Sequence, residues 1–530
     1  MKNIKTLRKM KNIKLYILKS LMVMGLIITS GCDKDFLNED LRDGLSPKLF
    51  FNDLNEAQMA VNGVYAGLTN LNMYRNRNYR GAIQFGTDLI CPQRKVVQTP
   101  YNYLMSEGEG DLNSAWNEMY LIIRNANSAI ANINKAEALS ADEKNQLIGE
   151  LYVLRALIYY DLTRFWGDVP FFTDELSTEE LSVLPRTPIE TIRTQMKSDL
   201  AQSKTFLPSS YTGGDLGRMT KWAAAALKAK FHMFDSEWSE TLSESLEIIN
   251  NSPHKLMDNF ADVIAYDKTT LDNEVNDEHI LWIDFAGASG IGTNMIGGEK
   301  TATNLWIEEF NPRLKDNPKN KADKNALNSA LAANDQSMTG FGAAIGCPDF
   351  ANRANWDTGD LRYDVTFMKE YEGIELKFPY IGKMMNLNTD KPRNSKSENI
   401  ILIRLGDIYL MAAEAENELN GADNAYQYVN KVRERAFEPD QPWSGMTQGE
   451  FRIKMYDERS YELAYEGHRK QDLIRWGILV ETVRNTNYTT HAKGAVGNIQ
   501  PKHVKYPIPL NEVQANPLLL ESDPTNNGYR

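Results

Sequence analysis

The chain has 530 residues, with 59 Lys and Arg against 71 Asp and Glu, which is more than one ordinary domain holds. No Pro/Gly/Ser-rich linker or low-complexity stretch divides it, so one large, continuous helical body is expected rather than separate beads. Residues 1–31 hold seven of the basic residues and no acid, leaving 52 against 71, a net of −19 that repels phosphate backbones and argues against nucleic acid as a partner.

At the N-terminus, Lys2, Lys5, Arg8, Lys9, Lys11, Lys14 and Lys19 precede the apolar run Leu21 to Ile28. A membrane-spanning helix needs about 20 residues, so this short run reads as a cleaved export signal, with Met10 as an alternative start. Thr29-Ser30-Gly31-Cys32 resembles the lipobox of bacterial lipoproteins, in which the cysteine is acylated and becomes the new N-terminus. That resemblance implies a domain held on a membrane surface by lipid. Two cysteines remain, Cys91 and Cys347. They can form one disulfide in an oxidising compartment, but the sequence alone does not pair them.

Helical spacing follows. Ala57, Val61, Val64 and Leu68 recur at three- and four-residue steps, as do Trp116, Tyr120, Ile123, Ala126 and Ile130, then Leu147, Leu151, Leu154, Ile158 and Leu162. The last of these helices is expected to stop at Phe165-Trp166-Gly167-Asp168-Val169-Pro170, where glycine suits a C-cap and proline forbids continuation. Further helices are expected at 188–206, 219–234, 241–250, 400–420, 423–436 and 448–482. Pairs joined by short turns suggest tetratricopeptide-like hairpins, although no clean 34-residue repeat is present. Between 255 and 398 the chain is rich in Gly, Asn and Asp, with a strand-like Ile280-Leu281-Trp282-Ile283. Trp306, Phe310, Phe341, Trp356 and Tyr363 are interleaved there, which predicts ordered loops. The fold class is therefore mainly α, with a long irregular middle containing short strands.

Three patterns bear on chemistry. Gly287-Ala-Ser-Gly290-Ile-Gly292 has the wrong glycine order for a dinucleotide fingerprint, and Lys300 lies two places too late for a phosphate loop over 292–301. Both read as loops. In 457–477, Glu458, Glu462 and Glu466 share a helix face with Arg459, Arg469, Asp472 and Arg475 close by. An enzyme would use two of these carboxylates as acid and base, or add His468 for a metal. Arginines in near-equal number favour a structural network around a helix–Gly467–helix bend. No HExxH or GxSxG is present, so neither a metallohydrolase nor a serine hydrolase is supported, and no metal or cofactor is expected.

Together these segments resemble the SusD/RagB family, the surface lipoproteins of polysaccharide-utilisation systems. The resemblance rests on Cys32-Asp-Lys-Asp-Phe-Leu37, Asn62 to Leu68, Trp116 to Ile133, and Leu154-Arg155-Ala156 with Tyr159 to Pro170. It continues through Arg404 to Ala415, Glu466 to Gly477, Tyr506-Pro-Ile-Pro509 and Ala515-Asn516-Pro517. It implies a helical fold with four tetratricopeptide-like units and no catalysis. It also implies an outer-membrane, outward-facing lipoprotein anchored at Cys32, seated like a hinged lid on a SusC-like TonB-dependent transporter. The expected division is a signal at 1–31 and one domain at 32–530, comprising a helical part 32–254, a loop-rich ligand region 255–398 and a helical part 399–530.

The ligand class implied is an oligosaccharide, whose rings stack on Trp and Tyr while Asn, Asp, Arg and Gln meet the hydroxyls. By position in such a family the candidates are Trp306, Tyr101, Asn102, Tyr103, Phe341, Arg80 and Asp88, while Trp356 beside Asp360-Leu-Arg362 reads as structural. Peptide capture is the alternative reading, and a glycoside hydrolase using carboxylates of 457–472 is the third. The acidic balance disfavours strongly anionic glycans.

Overall fold

The computed structural model describes residues 51–75, 77–93, 98–264, 275–285, 304–313, 321–334, 336–338, 340–387 and 398–530. The signal segment, Cys32 and the two glycine-rich patterns of 287–301 lie outside the described residues. The helices of the N-terminal half are α1 (Leu54–Leu68), α2 (Arg77–Gln84), α3 (Gly110–Lys135), α4 (Ala141–Trp166), α5 (Ile189–Phe206), α6 (Lys221–Phe234) and α7 (Trp238–Asn251). After the middle region come α8 (Lys321–Ala333), α9 (Leu405–Asn420), α10 (Ala422–Glu434), α11 (Gln448–Glu462) and α12 (Arg469–Arg475).

Local chemistry sets the helix ends. Ser140 and Glu143 form a reciprocal capping box at the start of α4, and Thr447 with Glu450 does the same for α11. Gly167, at φ +75°, closes α4 as its spacing predicts. Of the α3 stripe, Trp116, Ile123, Ala126 and Ile130 are buried, while Tyr120 stays half-exposed and donates its hydroxyl to the Pro170 carbonyl at 2.9 Å. Helix α4 is buried almost all round, so its polar residues need partners. Arg155 reaches Asp199 and Asn127, and Glu150 meets Arg218 and Tyr65. The Trp166 indole donates to the Pro507 carbonyl at 2.9 Å, and the Tyr506 amide donates to Phe165 at 2.7 Å. The two most distinctive motifs of the chain thus pack on each other.

Successive helices lean on one another from α3 to α4, α5, α6 and α7, and then α7 packs on α9 and α9 on α10. The helical stack therefore passes from α7, ending at Asn251, directly to α9, beginning at Leu405. The stretch of sequence between them interrupts any regular repeat, which is why none shows in the sequence.

The middle region contributes a four-stranded antiparallel sheet, in the order β1 (Ile90–Pro92), β3 (Ala344–Gly346), β5 (Ile374–Ile381), β4 (Phe367–Tyr371). The β4–β5 hairpin turns through Glu372-Gly373, both at positive φ, so the glycine and a two-residue loop fix its register. A second antiparallel pair joins β2 (His279–Ile283) to β6 (Ile400–Arg404). Residues 400–404, expected as helix, are therefore strand. The β-branched Ile400, Ile401 and Ile403 suit a pleated surface, and the helix begins only at Leu405. The expected 448–482 helix is likewise three pieces, broken after Glu462 and again after Arg475.

Cys91 and Cys347 are joined as a disulfide, their Cα atoms 5.0 Å apart, tying β1 to the end of β3. It closes a long loop, so reduction should cost about 2–4 kcal/mol. The expected result is a lower melting temperature with reductant, absent in the Cys91→Ala/Cys347→Ala double variant.

Candidate functional site

The acidic helix face of 457–477 is occupied by arginines. Arg404 is fully buried and holds Glu278 at 2.6 Å, Glu462 at 2.7 Å and Glu466 at 2.7 Å. Arg362 holds Glu458 at 2.6 Å and Asp360 at 2.8 Å, Arg433 reaches Glu458 at 2.7 Å, and Arg435 reaches Glu462 at 2.6 Å. Lys383 closes the set on Glu466 at 2.6 Å. Five cations thus face five buried carboxylates, with the exposed Asp357 3.7 Å from Arg433 at the rim. Burial alone would raise the carboxylate pKa values, but Arg404 and Lys383 pull Glu466 down to about 2. Arg435, Arg404 and Arg362 likewise hold Glu462 far below the usual carboxylate range against its burial. Neither carries a proton to donate near neutral pH. The polar-network reading of this segment matches its geometry.

The residues expected to hold a sugar are mostly interior. Trp306 is fully buried, edge-to-face with Phe310 at 5.0 Å and close to Phe85 at 5.6 Å. Tyr101 is stacked on Phe85 at 4.0 Å, and the Arg80 guanidinium lies 5.8 Å from the Trp306 ring. Arg80, Tyr101 and Trp306 are therefore brought together, but as filling between α2 and the sheet. A sugar needs an open ring face, and neither Trp306 nor Tyr101 presents one. Tyr103 is buried and donates to the Gly86 carbonyl. Asn102 donates to the His491 carbonyl at 2.9 Å and accepts from Asn498 at 2.9 Å, pinning the C-terminal segment. Asp88 takes both arms of Arg469. Phe341 alone among the expected rings is only half-buried. Trp356 is buried beside Tyr363 and Phe350, as its structural reading expects.

A cleft of about 370 Å³ opens instead between the β4–β5 hairpin and the short turn at Phe260–Asp262. Phe260, Met368, Tyr371 and Met385 supply its apolar walls, and Gln336, Lys383 and Asn386 its polar groups. Tyr371 donates to the Gln336 side-chain oxygen at 2.7 Å and accepts from Asn334 at 3.1 Å. The Gln336 amide nitrogen is left as a donor held in a fixed orientation. Lys383 is committed to Glu466 and the Glu462 carbonyl, and its burial lowers its pKa to about 8. Asn386 is tied by its main chain to Asn311. A half-buried tyrosine beside fixed amides, in a pocket of ligand size, can take a flat apolar face and adjacent hydroxyls. The expected candidates included neither Tyr371 nor Gln336. The readable signal was the alternation around Glu372-Gly373, which marks a hairpin and so a tyrosine at its tip. Among the described residues no group of His, Cys, Asp and Glu is arranged to hold a metal, and no helix is long and apolar enough to cross a membrane.

Comparison with known proteins adds a second line. The SusD family model matches residues 287–529, and a model described as starch-binding, associating with outer membrane, matches residues 50–233. A SusD-like protein of Formosa agariphila is 40% identical over 98% of this chain and 100% of its own length. The starch-binding protein SusD of Bacteroides thetaiotaomicron is 24% identical over 75% of each chain. Among solved structures, a SusD homolog from Bacteroides thetaiotaomicron superposes with a TM-score of 0.75 at 20% identity, covering 91% of this chain and 99% of that one. A laminarin-binding SusD-like protein gives 0.70 at 21% identity, over 87% and 97%.

Proposed function

Since the chain belongs to the SusD family, we propose that it is a cell-surface lipoprotein that captures oligosaccharides and delivers them to a SusC-like TonB-dependent transporter. Residues 1–31 serve as the export signal, Cys32 carries the lipid, and residues 32–530 act as one binding domain. The observation that supports this reading most is the 40% identity to a SusD-like protein along nearly the whole chain. Two named relatives bind starch and laminarin, both neutral glucans, and the strongly acidic mature chain suits uncharged glycans.

The ligand sits in this reading over the Phe260–Tyr371 cleft, with the Tyr371 ring under a pyranose face and the Gln336 amide on a hydroxyl. Calorimetry against neutral oligosaccharides tests it. Tyr371→Ala should weaken binding by at least roughly tenfold, with little change in melting because the ring is half-exposed. Unchanged affinity in Tyr371→Ala, with binding lost in Phe341→Ala, would move the ligand to the other end of the sheet. Absence of binding to any glycan would end the proposal.

A further inference from the structure

Between α2, α4 and the Gly467 turn lies a small, partly open cavity of about 40 Å³, separated from the cleft by the Lys383–Glu466 ion pair. Its walls mix apolar side chains such as Leu157 and Leu227 with the ionisable Asp161, Arg164, Lys230 and Glu466. On its wall lies Arg80, 2% exposed, whose Nε has no hydrogen-bond partner; it has no ion pair within 4 Å among the described residues, and Asp161, already paired with Arg164, is the carboxylate whose charge acts on it. Every other charge on the cavity wall has its own partner. Arg164 pairs with Asp161 at 2.6 Å, and that carboxylate also accepts from the hydroxyls of Tyr74 and Tyr79. Lys230 pairs with Asp407, while Glu466 is held by Arg404 and Lys383. The surplus is one positive charge, taken out of water by Arg80.

Two more unpartnered donors belong to residues next to Gly467. A Cβ built on Gly467 would lie 3.7 Å from Arg80 Nη2 and 3.7 Å from Gln84 Nε2, so both nitrogens approach one point above that backbone. Gln84, 5% exposed, lies beside Gly467 rather than on the cavity wall, and both its amide nitrogen and its amide oxygen lack hydrogen-bond partners. His468 Nδ1 lies 3.3 Å from the Lys230 ammonium, which can only donate. The ring proton is thereby assigned to Nε2, itself buried without a partner. A buried cation and an imidazole N–H on residues of the cavity wall, with the Gln84 amide next to Gly467, suit an acceptor carrying negative charge.

We propose that this cavity binds a single monatomic anion, chloride in the cell's surroundings, held by Arg80 with Gln84 and His468 beside it. The room exceeds the ~10–15 Å³ that one water needs, so a halide and a neighbouring water fit. A phosphate or carboxylate ligand is larger, and a dianion would over-neutralise one guanidinium. The ion would complete the charge balance at the junction of α2 with the Gly467 turn, fastening the N-terminal helices to the C-terminal half.

The test uses the purified full-length protein at matched ionic strength in sodium chloride, sodium bromide and sodium gluconate. Saturating chloride or bromide should raise the melting temperature by roughly 2–3 °C over gluconate. Arg80→Met should abolish that difference. If Arg80→Met does not fold, Gln84→Leu keeps the guanidinium and should shift half-saturation severalfold to higher chloride. Crystals soaked in bromide should show an anomalous peak beside Arg80 Nη2. Equal melting in all three salts overturns the proposal. So does an undiminished halide response in the variants, or ordered water alone where the bromide peak belongs.

Discussion

Replacing Arg404 by methionine is expected to destabilise the protein by about 3–5 kcal/mol, because breaking a buried ion pair from one side leaves uncompensated charge inside. Among the described residues Arg404 is the one cation that touches Glu278, Glu462 and Glu466 together. Its loss leaves three buried carboxylates to share Arg435, Arg362 and Lys383. Gly406 records how tightly that site is closed, since a Cβ there would lie 2.9 Å from Glu278 and 3.0 Å from Glu462. Arg404→Lys should recover only part of the loss, because a point charge cannot span three carboxylates as a planar fork does. The same cluster sets an acid limit. Glu466 titrates at about 2 when folded and near 4.3 when unfolded, and a depressed folded value adds stability above the unfolded pKa. That stability is present near neutral pH and drains away as pH falls from about 5 toward 2. Arg404→Met should flatten this acid slope as Glu466 returns toward its ordinary value. Chemical unfolding of both proteins across that range is the measurement, and an equally stable variant would show that the network adds nothing.

Trp306→Ala should cost about 3–5 kcal/mol as well, by a different route. The indole is enclosed by Phe85, Phe310 and Arg80, and its removal leaves a cavity that rigid aromatic neighbours cannot fill. A surface shelf and a core filling predict opposite outcomes here. A shelf residue loses glycan affinity with its melting temperature unchanged. The buried ring loses melting temperature, and glycan affinity of the folded fraction, measured well below the transition, stays as it was. Trp306→Phe should be milder on the same scale.

Both variants bear on what could be read from the sequence. The helices were legible because α3 and α4 repeat apolar residues at helical steps for several turns, and Ser140 and Gly167 mark the ends of α4. The strand at Ile400–Arg404 was not, since five apolar-rich residues running straight into a helix have no period of their own. The pairing partner that decides it, β2, lies about 120 residues earlier. The charge network was legible in kind from the count of arginines, but Glu278 and Asp360, which complete it, are scattered along the chain. The ligand face was least legible. Aromatic residues in a polar stretch look alike whether a ring faces inward, as Trp306 does, or outward in part, as Tyr371 does, and only the register of the sheet separates them.

The contact of α7 with α9 has a consequence for the order of folding. As the polypeptide is made from its N-terminus, Trp238–Asn251 is complete long before Leu405–Asn420 exists. The part of its buried side that meets α9, as distinct from the part resting on α6, waits uncovered throughout that interval. Joining two such distant stretches is slow, because the loop must close before the contact repays it. A ribosome-bound or half-exported chain is therefore sticky along that helix until its last third arrives, a window in which a chaperone would find its grip.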